Sequence, residues 1–242
     1  GTPLQPGLAT ARMIAQKGRR MRYSAFTLLR RALSGNRGWE RQWRAATPKP
    51  AYDAVIVGGG GHGLTTAYYL AKEHGLTNIA VLEKGWIGGG SVGRNTTIIR
   101  SNYLLPRNSR FYEFGMKLWE NMSREINYNV MFSQRGVLNL AHTPGQLDTF
   151  ARRGNAMRLQ GIDAELMDRN EIARMVPGLD MSATARFPIV GGLRQPRAGT
   201  ARHDAVAWGY ARAADALGVD IIENCGVTGF LRDGARIVGV DS

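Results

Sequence analysis

The chain has 242 residues, 43% of them hydrophobic, so it is long enough to bury a core of its own. Its formal charge of +13 could indicate a nucleic-acid partner, but the charge is unevenly distributed. Residues 1–50 contain eleven of the 32 Lys and Arg residues and one acid, Glu40, whereas the rest of the chain contains 21 bases and 18 acids. Because the basic charge belongs to an N-terminal arm, nucleic-acid binding is the weakest interpretation, and we predict no nucleic-acid partner.

A single cysteine, Cys225, excludes an intrachain disulfide and a thiolate metal site, and we predict no metal site. No run of residues approaches the roughly 18–20 apolar residues that a membrane-spanning helix needs, so we predict no membrane partner. The segment Met21–Leu33 is basic, free of acids and mildly amphipathic. That composition is typical of an organelle transit peptide and also of an arm that packs on a partner subunit, and it leaves both open.

The first predicted elements form a strand–helix–strand unit. Residues 52–57 are a β-branched run typical of a buried strand, residues 63–73 carry apolar side chains at helical spacing, and residues 79–82 form a second buried strand. The helical residues expected to face the core are Leu64, Ala67, Tyr68 and Ala71. Such a unit requires parallel strands and a right-handed crossover. A glycine-rich loop follows at residues 85–93.

The rest of the pattern predicts helices mixed with strands. The predicted helices cover residues 108–126, 146–160 and 204–217, with a short helix after a capping box at Asp168 and Glu171. The predicted apolar face of the first of these helices comprises Phe111, Leu118, Trp119, Met122 and Ile126. The predicted strands cover residues 130–132, 136–141, 186–190 and 219–222, with a hairpin over 227–240. The strand at 219–222 is expected to rejoin the first sheet.

The residues from Gly58 to Gly63 match the pattern G-x-G-x-x-G between a predicted strand and a predicted helix. Gly58 permits a sharp turn, Gly60 lets the main chain approach a pyrophosphate, and Gly63 lets the helix lie close to the strand. Gly61 and His62 occupy variable positions, and we expect them to bind the cofactor as neighbours of the phosphate at the helix N-terminus. The alternative is a glycine-rich turn in another kind of α/β protein.

Glu83 ends the second predicted strand, twenty residues after Gly63. A carboxylate there can accept both hydroxyls of an adenosine ribose, and it favours a ribose without a 2′-phosphate. The chain then enters a long loop rich in glycine and hydroxyl groups, which suits an extended FAD better than NAD. The sequence therefore predicts an α/β fold, with an FAD-binding Rossmann-like domain and an inserted antiparallel α+β substrate domain.

Three stretches resemble the β subunits of bacterial heterotetrameric sarcosine oxidases, namely Tyr52–Tyr103, Phe132–His142 and Gln195–Trp208. The stretch Met21–Trp39 is similar to the start of those subunits, which weakens the transit-peptide interpretation and leaves residues 1–20 as upstream sequence. Because members of that family continue further, the resemblance implies a fold that is incomplete at its C-terminus. We expect three parts: an N-terminal arm (1–49), an FAD-binding domain (50–128 and 197–242) and part of a substrate domain (129–196).

The resemblance implies roles for particular residues. Arg100 matches an arginine that holds the substrate carboxylate in related amine oxidases. His203 matches the histidine to which these β subunits attach FMN covalently, and Val227 matches a residue whose main chain contacts the adenine of FAD. The loop residues expected to line the FAD are Ser91, Thr96 and Ile98.

The implied activity is the oxidative demethylation of sarcosine to glycine, with FAD as first electron acceptor and a covalent FMN from which oxygen is reduced to hydrogen peroxide. The implied partners are α, γ and δ subunits, of which the α subunit binds NAD and transfers the one-carbon unit to tetrahydrofolate, and the implied location is the bacterial cytoplasm. Two alternatives stay open. One is a single-flavin FAD-dependent amine oxidase or dehydrogenase of the same superfamily, and the other is an inactive fragment that binds at most an adenine nucleotide or a partner subunit.

Overall fold

The computed structural model of the chain describes residues 24–39 and 41–242. The chain separates into two compact units, residues 1–41 and residues 42–242. The predicted upstream sequence at residues 1–20 and the start of the predicted arm lie outside the described residues, as does Glu40.

The described part of the first unit contains one helix, α1, which spans Ala25–Leu33. Ser24 caps the helix, because its hydroxyl accepts a hydrogen bond from the main-chain N–H of Thr27 at 3.1 Å. Arg30 and Arg31 lie in the last turn, where positive charge interacts favourably with the helix dipole. The helix falls within the predicted basic arm.

The second unit alternates strands and helices before it ends in a hairpin. Its helices are α2 (Gly61–His74), α3 (Pro106–Glu125), α4 (Pro144–Leu159), α5 (Arg169–Met175) and α6 (His203–Ala216). Its strands are β1 (Ala54–Val57), β2 (Ile79–Glu83), β3 (Ile98–Ile99), β4 (Val137–Ala141), β5 (Glu165–Met167), β6 (Gly191–Gln195), β7 (Gly199–Thr200), β8 (Asp220–Glu223), β9 (Gly229–Asp233) and β10 (Arg236–Asp241). No helix in the described residues is both long enough and apolar enough to cross a bilayer.

Strands β1, β2 and β8 form a parallel sheet with β2 in the centre. Val57 pairs with Leu82 across β1 and β2, and Glu83 pairs with Glu223 across β2 and β8. The carboxyl ends of the three strands therefore meet at one edge of the sheet, which is where ligands bind in folds of this kind. The pairing confirms the predicted strand–helix–strand unit and the return of the chain to the first sheet.

Helices α2 and α6 build the core on one face of this sheet. The four α2 residues predicted to face the core are all buried. In α6, Ala207, Ala211 and Ala214 are completely buried, and their small side chains let α6 lie close to α2. Ile79 and Val81 point from β2 into the same core. The two helices thereby fix where the first turn of α6 stands relative to the sheet edge.

A second, antiparallel sheet has β6 in the centre, with β4 and β5 on either side. Its core is small: Met157 of α4 and Leu193 of β6 are both completely buried in it. Helix α5 begins at the predicted capping box, in which Asp168 and Glu171 each accept a hydrogen bond of 2.8 Å from the other's main-chain N–H.

Two of the sequence-based strand predictions are wrong. Residues 130–132 are irregular, because Met131 has a φ of +54° and the nearest pairing is an isolated bridge between Ser133 and Thr200. Residues 186–190 also form no strand, and β6 begins instead at Gly191, directly after the predicted strand. A Cβ on Gly191 would lie 2.9 Å from the Met167 main-chain oxygen, so this strand needs glycine where propensity alone disfavours a strand.

The apolar face predicted for α3 is also partly wrong. Met122 and Ile126 are buried as expected, but Phe111 is 70% exposed and Met116 is buried instead. The helix begins at Pro106, two residues earlier than its apolar pattern predicts. Proline suits the first turn of a helix, because the N–H that it lacks would have no partner there.

Candidate flavin and substrate site

The glycine turn lies between β1 and α2, at the carboxyl edge of the parallel sheet. Gly58 has a φ of +109°, a conformation that other residues rarely adopt. A Cβ on Gly63 would lie 2.1 Å from the Gly58 carbonyl oxygen, so a larger residue would push the helix away from the turn. A Cβ on Gly60, by contrast, would meet nothing closer than a methyl group of Val92 at 3.6 Å. The protein's own packing thus requires glycine at two of the three motif positions, whereas the space at Gly60 suits the approach of a phosphate.

Glu83 holds the turn from the adjacent strand. Its carboxylate accepts a hydrogen bond from the main-chain N–H of Gly59 at 2.8 Å and another from that of Gly85 at 2.9 Å. Each oxygen keeps a further lone pair, so the carboxylate can still accept ribose hydroxyls. Gly59 is a further residue of this turn that the sequence does not predict, and a Cβ there would lie 2.6 Å from Ile87. Its variable position in the motif gives no signal of this contact.

Replacing Glu83 with alanine should weaken FAD binding by about 1.5–3 kcal/mol, because hydrogen bonds to a charged group are lost. Glu83→Gln should lose less, since its amide oxygen can still accept one of the two main-chain hydrogen bonds. The measurement is the FAD dissociation constant of the full-length protein, with thermal unfolding of the FAD-free form beside it. An FAD dissociation constant that is unchanged in both variants would show that Glu83 does not bind FAD.

The loop after β2 docks on the glycine turn. The main-chain N–H of Gly88 donates to the Gly59 carbonyl oxygen at 3.1 Å, and a single 3₁₀ turn, Ser91–Arg94, brings Val92 against the start of α2. The three loop residues predicted to line the FAD, Ser91, Thr96 and Ile98, are all exposed. The loop therefore stands beside the turn with these side chains accessible to a ligand.

Val227 follows β8 at the same sheet edge. The main-chain N–H of Cys225 donates to the Glu83 carbonyl oxygen at 2.9 Å, which ties this segment to the end of β2. The Val227 side chain packs with Leu82 and Ile222 on the face of the sheet opposite α2. Among the described residues, nothing hydrogen-bonds to its main-chain N–H or C=O. Both groups are thus available to a purine edge, as the prediction for Val227 requires.

Arg100 follows β3, whose pairing with β7 joins Ile99 to Gly199. One guanidinium nitrogen donates to the Asn102 side-chain oxygen at 2.6 Å, and the guanidinium lies 4.9 Å from the centre of the Tyr103 ring. No carboxylate of the described residues lies within 4.0 Å of the Arg100 guanidinium, the longest distance at which an ion pair is counted. The guanidinium is thus held in place without an acidic partner, an arrangement that suits an anionic ligand.

His203 is the first residue of α6, whereas the sequence pattern starts this helix one residue later. Its Nδ1 is buried and has no hydrogen-bond partner in the described part of the chain. The segment before His203 is tied to the loop that is predicted to line the FAD, because the N–H of Ala201, two residues earlier, donates to the Thr97 carbonyl oxygen at 3.3 Å. The neighbours Arg202 and Asp204 pair with each other at 2.7 Å. A buried ring nitrogen without a partner fits the predicted attachment of a flavin.

A polar network behind Arg100 escaped the sequence analysis. The buried side chain of Gln195 accepts from the Ser101 N–H at 3.0 Å and donates to the Ser101 hydroxyl at 2.7 Å. Arg197 pairs with Glu113 at 2.6 Å and with Glu120 at 2.9 Å, and its hydrogen bonds lower the pKa of Glu120. These contacts fix the segment after β3 to β6 and α3. These contacts join residues that are far apart in the chain, so no local sequence pattern predicts them.

The turn, the acid that supports it and the docked loop define a dinucleotide-binding flavoprotein. A profile of the family described as "FAD dependent oxidoreductase" matches residues 53–242, and the chain belongs to that family. This confirms the predicted fold class and the cofactor FAD.

Individual proteins of known name are more similar to this chain than the family profile alone indicates. Over 222 residues the chain is 64% identical to the sarcosine oxidase subunit beta of Rhizobium meliloti (strain 1021), which corresponds to 92% of this chain and 53% of that protein. It is 54% identical to the sarcosine oxidase subunit beta of an Arthrobacter species, over 82% of this chain and 49% of that protein. These matches confirm the resemblance found in the sequence. The chain spans about half the length of these relatives.

A solved structure gives the same picture of the fold. The L-proline dehydrogenase of P. horikoshii is similar with a TM-score of 0.73 and 30% sequence identity, over 80% of this chain and 49% of that one. A glycine oxidase from Bacillus cereus has a TM-score of 0.68 at 18% identity, a likeness of fold alone.

Proposed function

We propose that this chain is the FAD-binding part of a sarcosine oxidase β subunit, and that the protein containing it oxidises sarcosine to glycine. The observation that carries the proposal is the fixed guanidinium of Arg100 on the segment that continues from the flavin-lining loop. The substrate is a small amino acid whose carboxylate an arginine can hold through two hydrogen bonds. The identity with subunits of that name supports the choice of sarcosine.

The chain's own groups would bind and orient the reactants. Gly58–Gly63 and the α2 N-terminus would hold the pyrophosphate, Glu83 the ribose, and the Val227 main chain the adenine. FAD, when bound, supplies an acceptor for a hydride equivalent from the N-methyl carbon of the substrate. Arg100 would place that carbon by holding the carboxylate at the other end of the molecule.

The finer assignments extend the same proposal. His203 would carry a covalent FMN, which supplies a second flavin from which oxygen is reduced to hydrogen peroxide. The partners would be α, γ and δ subunits, with NAD and tetrahydrofolate on the α subunit, where the one-carbon unit is taken up. The expected location is the bacterial cytoplasm. The division into an arm, an FAD-binding domain and an inserted substrate domain belongs to this proposal too.

A second candidate is a single-flavin amine oxidase or dehydrogenase. The similarity to an L-proline dehydrogenase structure at 30% identity favours it. The two candidates share FAD and the Arg100 site, and they differ in whether His203 carries a flavin. Detection of a covalent flavin on His203 therefore distinguishes the two candidates.

Replacing Arg100 with lysine tests the substrate site. An ammonium cannot reproduce two parallel hydrogen bonds to a carboxylate, so the Michaelis constant for sarcosine should rise roughly 10- to 100-fold. The measurement is steady-state kinetics on the full-length protein assembled with its subunits. Arg174→Lys, in the exposed surface of α5, is the matched control and should change little. Near-normal kinetics for Arg100→Lys would make Arg100 a structural residue.

A further inference from the structure

An irregular segment, residues 42–50, contacts helix α6 and strand β8, and we call it the strap. It precedes residues 53–242, the part of the chain that the family profile matches. Arg44 donates from its main-chain N–H and from Nε to one oxygen of Asp215, at 3.1 and 2.8 Å. Lys49 forms an ion pair of 2.7 Å with the buried carboxylate of Asp220. The strap is therefore fastened to α6 near one end and to β8 near the other.

Trp43 of the strap reaches the edge of the sheet at which the glycine turn lies. Its indole N–H donates to one carboxylate oxygen of Glu223, the last residue of β8, at 3.3 Å. The other oxygen of Glu223 accepts from the main-chain N–H of Ile87 at 3.0 Å. The Trp43 ring also meets the ring of Trp208 edge-on, with the ring centres 6.4 Å apart. One carboxylate thus joins the strap to the loop that follows β2.

The part of this loop at residues 85–88 packs against the glycine turn. Ile87 is almost completely buried, and a Cβ on Gly59 would lie 2.6 Å from its terminal methyl group. The neighbouring N–H of Gly88 donates to the Gly59 carbonyl oxygen at 3.1 Å. Because these atoms are closely packed, a displacement of Ile87 would displace the main chain of Gly59, which adjoins the space at Gly60 proposed for the pyrophosphate.

Glu223 stands beside a second acid at this sheet edge. Glu83 and Glu223 pair across β2 and β8, and like charges on neighbouring strands repel each other. Each carboxylate accepts from main-chain N–H groups of the turn or the loop, which offsets that repulsion. A glutamine in place of Glu223 would present one acceptor oxygen instead of two, so it could not join Trp43 to Ile87.

We propose that the strap positions the loop at residues 85–88 for FAD, through Trp43 and Glu223, so that FAD affinity depends on a segment outside the matched family region. The two are positioning residues, since they act on the cofactor through Ile87 and the glycine turn. A loop that is held in place before FAD arrives loses less freedom on binding, which strengthens the binding. The inference rests on the proposed pyrophosphate site at Gly58–Gly63.

The first test removes the indole hydrogen bond and keeps an aromatic ring. Trp43→Phe in the full-length protein should raise the FAD dissociation constant about three- to tenfold, because Glu223 loses one of its two partners. Trp208→Phe is the matched control: it alters the same ring contact but leaves the hydrogen bond to Glu223, so the FAD dissociation constant should change by less than about twofold. No increase in Trp43→Phe, or equal increases in the two variants, would overturn the proposal.

A double variant shows whether Trp43 and Glu223 act through the same contact. Glu223→Gln keeps the shape of the side chain and should also raise the FAD dissociation constant. In the double variant of Trp43→Phe and Glu223→Gln, we expect an increase no larger than that of the more affected single variant, because both remove the same link. Increases that multiply in the double variant would overturn the proposal, since two independent losses of stability would then explain them.

Hydrogen exchange in the FAD-free protein tests the strap without the cofactor. Main-chain exchange at residues 85–88 should be faster in Trp43→Phe than in the wild type, whereas exchange in α4 should be the same in both. Equal exchange at residues 85–88 would overturn the proposal. If Gly60→Val retained stoichiometric FAD while this exchange was faster in Trp43→Phe, the proposed pyrophosphate site would be wrong and the hold of the strap on the loop would stand.

Discussion

Replacing Gly60 with valine should give a folded protein that retains no FAD. The protein itself leaves room for a side chain at this position, since the nearest atom to an added Cβ is 3.6 Å away. The space is needed instead by the pyrophosphate, which must approach the main chain closely. We expect valine to block that approach. The measurement is the FAD content of the purified full-length protein, together with thermal unfolding of the FAD-free form.

Two further glycine variants separate binding from folding. Gly63→Ala should destabilise the FAD-free protein by about 2–3 kcal/mol, because its Cβ would meet the Gly58 carbonyl oxygen. Gly145→Val, in the exposed first turn of α4, removes a glycine with no neighbour within 4 Å and should keep full FAD. Stoichiometric FAD in Gly60→Val would refute the assignment of the turn as the pyrophosphate site.

Replacing His203 should abolish covalent attachment of a flavin. If this residue anchors FMN, the subunit assembled with its partners should keep a yellow flavin after precipitation in acid. Peptide mass spectrometry should find the flavin mass on the peptide that spans Ala201–Trp208. His203→Ala should release all flavin on denaturation and still contain FAD in the native state, because the glycine turn is unchanged.

A matched histidine variant makes this test specific. His74→Ala, at the exposed end of α2, should keep the covalent flavin. A wild-type peptide without a flavin mass would contradict the two-flavin assignment, and the single-flavin oxidoreductase would then be the better account. The buried Nδ1 of His203 would in that case be an unsatisfied polar atom of the first turn of α6.

The parts of the fold that the sequence predicts are those set by short-range pattern. The apolar residues of α2 recur at helical spacing and are all buried, and the capping box of α5 forms both of its hydrogen bonds. The motif Gly58–Gly63 is also explained by local geometry, because the turn itself requires glycine at two of its positions. Local chemistry is sufficient in these places.

The remaining features depend on contacts between distant residues. Arg153 meets Asn102 across 51 positions of sequence, and Gln195 meets Ser101 across 94. Strand β6 begins with glycines that only its neighbours in the sheet explain. Phe111 belongs to an apolar pattern and is nevertheless exposed, since Met116 fills the core below α3. Tertiary packing determines each of these features, and the local secondary-structure propensity of a residue does not predict how it packs.

In the proposed function, this chain binds FAD beside an arginine site for the carboxylate of an N-methyl amino acid. The most direct measurement is the visible absorption of the flavin after sarcosine is added without oxygen to the full-length protein assembled with its subunits. We expect the oxidised flavin spectrum to disappear once enough sarcosine has been oxidised to deliver two electrons to each bound flavin, with glycine as the product. An FAD-loaded protein that keeps its oxidised spectrum in saturating sarcosine would contradict the account.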